Sequence, residues 1–254
     1  MRIREPGPPG HCRQVPLQED VAWRRTAVMA EVPSGGACIV SREAGLGPVL
    51  EAQQADPGIQ ILPIIGQIEG HNLLPKEYKA TKYEQLLPML AAIEIDPAAK
   101  GLLVILNTPG GDVEAGLAIA EMIAGLSKPT VSLIAGGGHS IGLPIAVAAR
   151  RSVAAPSASI TIHPIRSYGV MVGVPEIGVE LAKVTDRIVA FVSAHSHITQ
   201  ERYRELMTAR EDMVGDLGTV LDAQRAVSEG LLDEVGGVGN ALRALRGMID
   251  SGGV

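Results

Sequence analysis

From Pro129 to Ala149 the chain runs for 21 positions without an Asp, Glu, Lys or Arg. A stretch that long without charge either crosses a bilayer or is buried in a protein core. Its centre argues for the core. Gly136-Gly137-Gly138-His139-Ser140-Ile141-Gly142 places four glycines and two polar residues mid-run, Pro144 comes next, and Arg150-Arg151 close it. The pattern predicts a buried strand over Thr130–Ala135 (TVSLIA) that turns into a buried helix over Ile141–Arg150. Such a turn lifts Ser140 off the end of the sheet and sets the first free N–H groups of the helix beside it. That arrangement suits an attacking hydroxyl next to a developing oxyanion. The competing reading is a glycine-rich turn whose serine is merely small, because G-x-S-x-G patterns are common by accident.

The full length of 254 residues fits one α/β domain with a tail, or two small domains. One Trp, one Phe and four Tyr leave the core to Ile, Leu, Val and Ala, as in a parallel sheet under helices. A formal net charge of −6 with no basic run argues against nucleic acid as the main partner. Cys12 and Cys38 both fall in the irregular N-terminal part. They make no disulfide framework, and a reducing cytoplasm is the default location. The opening MRIREPGPPGHC carries prolines and charges where a signal peptide needs an apolar segment.

The chain divides near residue 58. Residues 1–57 read as a Pro/Gly-rich, flexible N-terminal extension with a short strand at Ala37–Val40, and residues 58–254 as the folded domain. Within the domain, strands are expected at Ile59–Gly66, Leu102–Leu106, Thr130–Ala135, Ser152–Ala155, Ser159–Ile162 and Leu231–Val235. Helices are expected at Lys82–Ile95, Asp112–Leu126, Ile141–Arg150, Val179–Ser196, Thr199–Ala209 and Asn240–Ile249. Asp222 reads as an N-cap, and Gly230 as the stop of the helix between them. Strands and helices alternating at this spacing imply parallel βαβ units.

A second glycine turn, Asn107-Thr108-Pro109-Gly110-Gly111-Asp112, comes after the strand LLVIL and opens a helix. Ligands of an α/β sheet collect beyond the carboxyl ends of the strands, so both turns can face one crevice. The glycines would let backbone approach a substrate closely. Alternatively the turn is structural, with Asp112 as a helix cap. A phosphate loop is disfavoured because neither G-K-[ST] nor a complete G-x-G-x-x-G is present.

A serine hydroxyl needs a base. Of six histidines, His163 ends the apolar strand before Pro164, 163 − 140 = 23 residues after the serine, near the same crevice. The alternative is a core histidine satisfied by a backbone carbonyl. His139 adjoins the serine and should point elsewhere, while His195 and His197 sit at the end of a surface helix. An α/β-hydrolase would need a histidine after its acid, and none occurs after His197.

Taken together, Asn107–Asp112, Gly138-His139-Ser140-Ile141-Gly142, Ile162-His163-Pro164 and Ala226–Asp233 resemble the ClpP family of serine peptidases, in order, from about Ile61 to Val238. The segments Thr161–Arg166 and Asp216–Thr219 look most like its translocation-enhancing branch. The resemblance implies a ClpP/crotonase-like α/β fold with a projecting helix used for oligomerisation. It implies Ser140 as nucleophile, His163 as general base, and the Gly111 and Ile141 backbone N–H groups as oxyanion hole. Asp216 would be the acid, with Asp212 second and Asp222 a rival already employed as a cap. Such a triad requires no metal and no cofactor.

The same resemblance implies a serine endopeptidase that cleaves peptides or preproteins. It also implies a homo-oligomer, with a ring and a peripheral association with export machinery among the options. The N-terminal extension does not resemble the family's ATPase-docking terminus, which argues against docking to an ATPase; no Walker motif is present, so any unfolding energy must come from a partner. Three other readings stand beside it. They are a Ser–Lys hydrolase using Lys183, a crotonase-type acyl-CoA site, and a non-catalytic module that assists export.

Overall fold

The computed structural model describes Asp56 and residues 58–166, 174–210 and 218–252. The N-terminal extension up to residue 55, with His11, both cysteines and the expected strand at 37–40, lies outside the described residues. In chain order the first elements are β1 (Ile59–Ile65), β2 (Gln67–Glu69), β3 (Ala80–Lys82), α1 (Tyr83–Ile95), β4 (Gly101–Thr108), α2 (Val113–Ala124) and β5 (Thr130–Gly138). Then come α3 (Gly142–Val147), β6 (Arg151–Ala154), β7 (Ser159–Ile162), α4 (Val174–Ala194) and α5 (Gln200–Thr208). The last are β8 (Thr219–Asp222), α6 (Ala223–Ser228), β9 (Glu234–Val235) and α7 (Val238–Asp250).

The main sheet runs β1-β4-β5-β6-β9, all parallel, as the aliphatic strand runs require. Period-two alternation sends its side chains to two different covers. Even positions such as Leu62, Ile64, Leu102, Val104 and Leu106 pack under α1, α2 and α3. Odd positions such as Ile59, Leu103, Val131 and Leu133 pack against Ala241 and Leu245 of α7. Leu62, Leu102, Val104 and Leu106 are fully buried, and each contributes on the order of 1.5–3 kcal/mol.

At its upper end β5 forks. Its lower residues pair with β6, while Gly137 pairs with Ser159 of β7, and β7 continues into an antiparallel ladder with β8. The register between β4 and β5 slips between Leu106 and Thr108, so β5 carries extra residues there. Asn107 fills the slip, its Oδ1 accepting the Gly137 N–H at 2.9 Å.

Several expectations need correction. β5 continues through Gly138 because β4 and β7 supply partners beyond Ala135. The helix after Ser140 is only Gly142–Val147, since Arg151 must already begin β6. The last strand shrinks to Glu234–Val235, and α4 starts at Val174. β2, β3 and β8 were not expected. The uncharged run from Pro129 is strand, turn and helix, and no helix among the described residues is long and apolar enough to cross a membrane. Asp112 and Asp222 are helix caps, accepting the N–H groups of Ala115 at 2.9 Å and Arg225 at 2.8 Å.

Candidate active site

The turn from β4 into α2 is pinned from below and from the side. Thr108, fully buried, accepts the Gly110 N–H on its Oγ1 at 3.0 Å. β2 clamps the next residues: the Ile68 N–H donates to the Gly110 carbonyl at 2.9 Å, and the Asp112 N–H donates to the Ile68 carbonyl at 3.0 Å. Because backbone polar groups alternate sides in a ladder, the Gly111 N–H faces away from β2, and it has no partner among the described residues. Gly111 holds φ 154°, and a Cβ there would lie 2.2 Å from the Ile68 carbonyl oxygen, so only glycine fits.

The second turn is built differently. Ser140 has φ 55°, the left-handed region, and is the only non-glycine residue with positive φ among the described residues. That conformation costs on the order of 1–3 kcal/mol and persists only where the surroundings enforce it. Here β7 enforces it: the Thr161 carbonyl accepts the Ser140 N–H at 2.8 Å. Beyond the serine, Gly142 donates to the His139 carbonyl at 2.9 Å and Leu143 to the Ser140 carbonyl at 3.1 Å. The Ile141 N–H, between them, has no partner among the described residues. The two turns meet at Gly110, where a Cβ would fall 2.7 Å from Cβ of Ser140.

His139 does point elsewhere, its Nδ1 lying 2.8 Å from Oγ1 of Thr161. Burial, and then the neighbouring His163 imidazole, hold its pKa below the ordinary value. His163 comes directly after the last residue of β7, and its Nδ1 lies 2.7 Å from the Pro164 carbonyl oxygen. A carbonyl only accepts, so Nδ1 carries a proton, and in the neutral imidazole the lone pair is then on Nε2.

One cavity of about 350 Å³ is lined by Ser140, His163, Gly111 and Ile141, together with Ile188 of α4 and Tyr203 and Met207 of α5. Asp216 and its rival Asp212 lie outside the described residues. Asp222 is engaged as the α6 cap. Lys183 is exposed on α4, 2.7 Å from Glu180, and does not line the cavity. No group of three or more His, Cys, Asp or Glu among the described residues is arranged to hold a metal ion. The sequence motifs include Asn107 and Thr161 without assigning either a role, and they do not reach Tyr203. The first two shape the turns through hydrogen bonds that only the fold creates, and the third shows no motif.

A family model described as Clp protease matches residues 64–238. The chain belongs to the Clp protease family. Among its curated relatives, the translocation-enhancing protein TepA of Halalkalibacterium halodurans is 49% identical over 218 residues, covering 86% of this chain and 84% of the relative. The ATP-dependent Clp protease proteolytic subunit 1 of Protochlamydia amoebophila is 26% identical over 154 residues, covering 59% of this chain and 72% of the relative. Among solved structures, a point mutant of ClpP1 from Listeria monocytogenes superposes with a TM-score of 0.58 at 20% identity, over 76% of this chain and 99% of that one. The Clp protease fold is thus common to both, across a large sequence distance.

Proposed function

We propose that this Clp protease family member is a serine peptidase in which Ser140 is the nucleophile, His163 the general base, and the Gly111 and Ile141 N–H groups the oxyanion hole. The observation that carries the reading is the convergence of a serine in strained backbone, a histidine whose Nδ1 donates to a backbone carbonyl, and two N–H groups without partners among the described residues on a single cavity. In the first step the Ser140 hydroxyl oxygen bonds to the substrate carbonyl carbon while His163 Nε2 takes the hydroxyl proton. The carbonyl oxygen gains the negative charge, which the Gly111 and Ile141 N–H groups stabilise. His163 then returns the proton to the leaving amine as the C–N bond breaks, and water repeats the sequence on the acyl-serine.

The acid in this reading is Asp216, with Asp212 second. The Pro164 carbonyl already holds His163 in the working tautomer, so the acid's distinct contribution is to stabilise the imidazolium charge, which a neutral carbonyl does less well. The substrates are peptides or preproteins, met in the cytoplasm by a homo-oligomer whose subunits comprise the domain 58–254 and the extension 1–57. The ring-forming option and a peripheral association with export machinery belong to the same reading.

Labelling tests it. A fluorophosphonate probe should modify the wild-type protein and leave Ser140→Ala unmodified, with peptide hydrolysis lost in parallel. Hydrolysis that survives in Ser140→Ala would overturn the assignment. A second reading, a non-catalytic module that assists export, draws support from the name of the 49% identical relative, translocation-enhancing protein. Rescue of an export defect by Ser140→Ala would favour it.

A further inference from the structure

The Gly111 N–H is aimed by its own peptide plane. In a trans peptide the carbonyl of one residue and the N–H of the next point in opposite directions, and no cis peptide bond occurs among the described residues. The Ile68 N–H, 2.9 Å from the Gly110 carbonyl oxygen, therefore turns the Gly111 N–H away from β2. β2 pairs with β3 over only three residues, a ladder that is marginal by itself. Two buried polar side chains hold it. Thr81 of β3, 7% exposed, ties that strand to the end of β1: its Oγ1 accepts the Ile65 N–H at 3.0 Å, and its hydroxyl donates to the Ile65 carbonyl at 2.9 Å. Glu69, 3% exposed, does the same for β2. Its Oε2 accepts the Leu74 N–H at 2.9 Å, and its Oε1 lies 3.3 Å from Nζ of Lys82, its cross-strand partner. The Leu74 N–H above all, opposed by burial and assisted by Lys82, holds the carboxyl below the ordinary carboxylate range.

We infer that Glu69 and Lys82 are positioning residues of the oxyanion hole: their ion pair fixes β2 on β3, so that Ile68 keeps the Gly110–Gly111 peptide plane, and with it one oxyanion donor, in place. The inference rests on the peptidase reading of Ser140 and goes beyond it by naming what aims that donor. Neither side chain lines the cavity, so neither is a catalytic residue. Their effect passes through a chain of attachments. Thr81 joins β3 to β1, the ion pair joins β2 to β3, and Ile68 joins β2 to Gly110 and Asp112. A buried carboxylate deprived of its cation is costly, and the short strand that carries it would shift to relieve that cost. An oxyanion donor works only at about 2.7–3.1 Å from the charged oxygen. A small displacement of β2 therefore lowers turnover without weakening substrate binding.

A peptide aldehyde reads the hole directly. The Ser140 hydroxyl oxygen bonds to the aldehyde carbon, the carbonyl π pair moves onto oxygen, and the hydroxyl proton passes to His163. The oxyanion so formed draws on both donors. The matching peptide alcohol presents the same side chains but forms no bond to Ser140. Affinities for both are measured on the full-length chain, with kcat and KM for an amide substrate. The variants are Glu69→Gln, Lys82→Met, the two combined, and Lys82→Arg. Gln still accepts the Leu74 N–H and removes only the charge, while Arg keeps the cation. Amide exchange at Asp112, which donates to the Ile68 carbonyl, is followed beside exchange at Leu245 of α7, buried on the other face of the sheet.

Glu69→Gln and Lys82→Met should each lower kcat and aldehyde affinity about tenfold and leave KM and alcohol affinity unchanged. Exchange should quicken about tenfold at Asp112 and not at Leu245. The double variant should lose no more than either single one, and Lys82→Arg should match the wild type. Equal weakening of aldehyde and alcohol, additive losses in the double variant, or unchanged exchange at Asp112 would overturn the inference. Equal quickening at Asp112 and Leu245 would do so too, because the pair would then stabilise the whole domain. If Glu69→Gln does not fold, Lys82→Met and Lys82→Arg decide between these outcomes on the same readouts. If the wild type takes up no aldehyde and cleaves no amide while Asp112 responds as expected, the brace on β2 stands and the peptidase reading falls.

Discussion

The two glycine turns meet at one point but reach their shapes by opposite means. At Gly111 the unusual backbone is carried by a residue without a side chain and is clamped by β2, so the turn presents an N–H in an unstrained setting. At Ser140 the unusual backbone is carried by the residue proposed to react, and the Thr161 carbonyl holds it there. One turn thus spends sequence freedom and the other conformational energy. The first tolerates no side chain; the second tolerates one only because β7 enforces it.

Substitutions can break this contrast, and their effects fall in a definite order. Ser140→Ala should lower peptide turnover by about six orders of magnitude, as loss of the nucleophile does elsewhere. Thermal stability should stay unchanged or rise slightly, because alanine lacks the function but keeps the fold. Assay of purified protein with a sensitive fluorogenic peptide reads the first, and a melting curve the second. Asp216→Asn should cost less than the about four orders of magnitude seen where the acid alone fixes the tautomer, because the Pro164 carbonyl also accepts from Nδ1. A loss of the full four orders would mean that the Pro164 carbonyl contributes nothing to holding the tautomer.

Gly111→Ala attacks the unstrained turn. Its Cβ would collide with the Ile68 carbonyl, displacing the N–H. Turnover should fall by about 10²–10³ and the melting temperature should drop as well. Unchanged kinetics would remove Gly111 from the oxyanion hole. Thr161→Val attacks the strained turn more gently, deleting the hydroxyl that meets His139 while sparing the carbonyl that holds Ser140. It should cost about 1 kcal/mol, read from the urea midpoint.

The smallest effect is on pH dependence. Folding lowers the His139 pKa, so as the pH falls through the ordinary histidine range the unfolded chain takes up the proton first. His139 therefore costs nothing above that range and destabilises progressively as the pH drops below it. His139→Gln should flatten the dependence of melting temperature on pH through that range. An unaltered slope would show that His139 does not contribute.

Much of the fold was legible because it arises from aliphatic runs. Leu102–Leu106 and Thr130–Ala135 could be little else than buried parallel strands, and Asp112 and Asp222 signalled their caps by residue type alone. β2 and β3 escaped because strands of three residues such as Gln67-Ile68-Glu69 are too short to display a period, and β8 (Thr219–Asp222) because it ends in the residue that reads as a helix cap. β5 was cut short because Gly136–Gly138 read as a turn, whereas pairing with β4 and β7 keeps them extended. In the candidate site, Ser140, His163 and the two glycine turns announced themselves through order and spacing. Thr161 and Asn107 did not, since their roles arise from a forked strand and a register slip that no local pattern encodes. Tyr203 sits on α5, far from either turn in sequence, and only packing brings it to the cavity.

The fork in β5 has a consequence for motion. The strand that leads into the proposed base His163, β7, joins the main sheet through one ladder pair, and its Thr161 holds the serine turn through the Ser140 amide and the His139 ring. That amide proton can exchange with solvent only when β7 lifts away from the turn. Its exchange rate is therefore a gauge, at one atom, of how often the proposed nucleophile and base part company. A molecule that holds them together will show a slow Ser140 amide next to a fast one at Ile141.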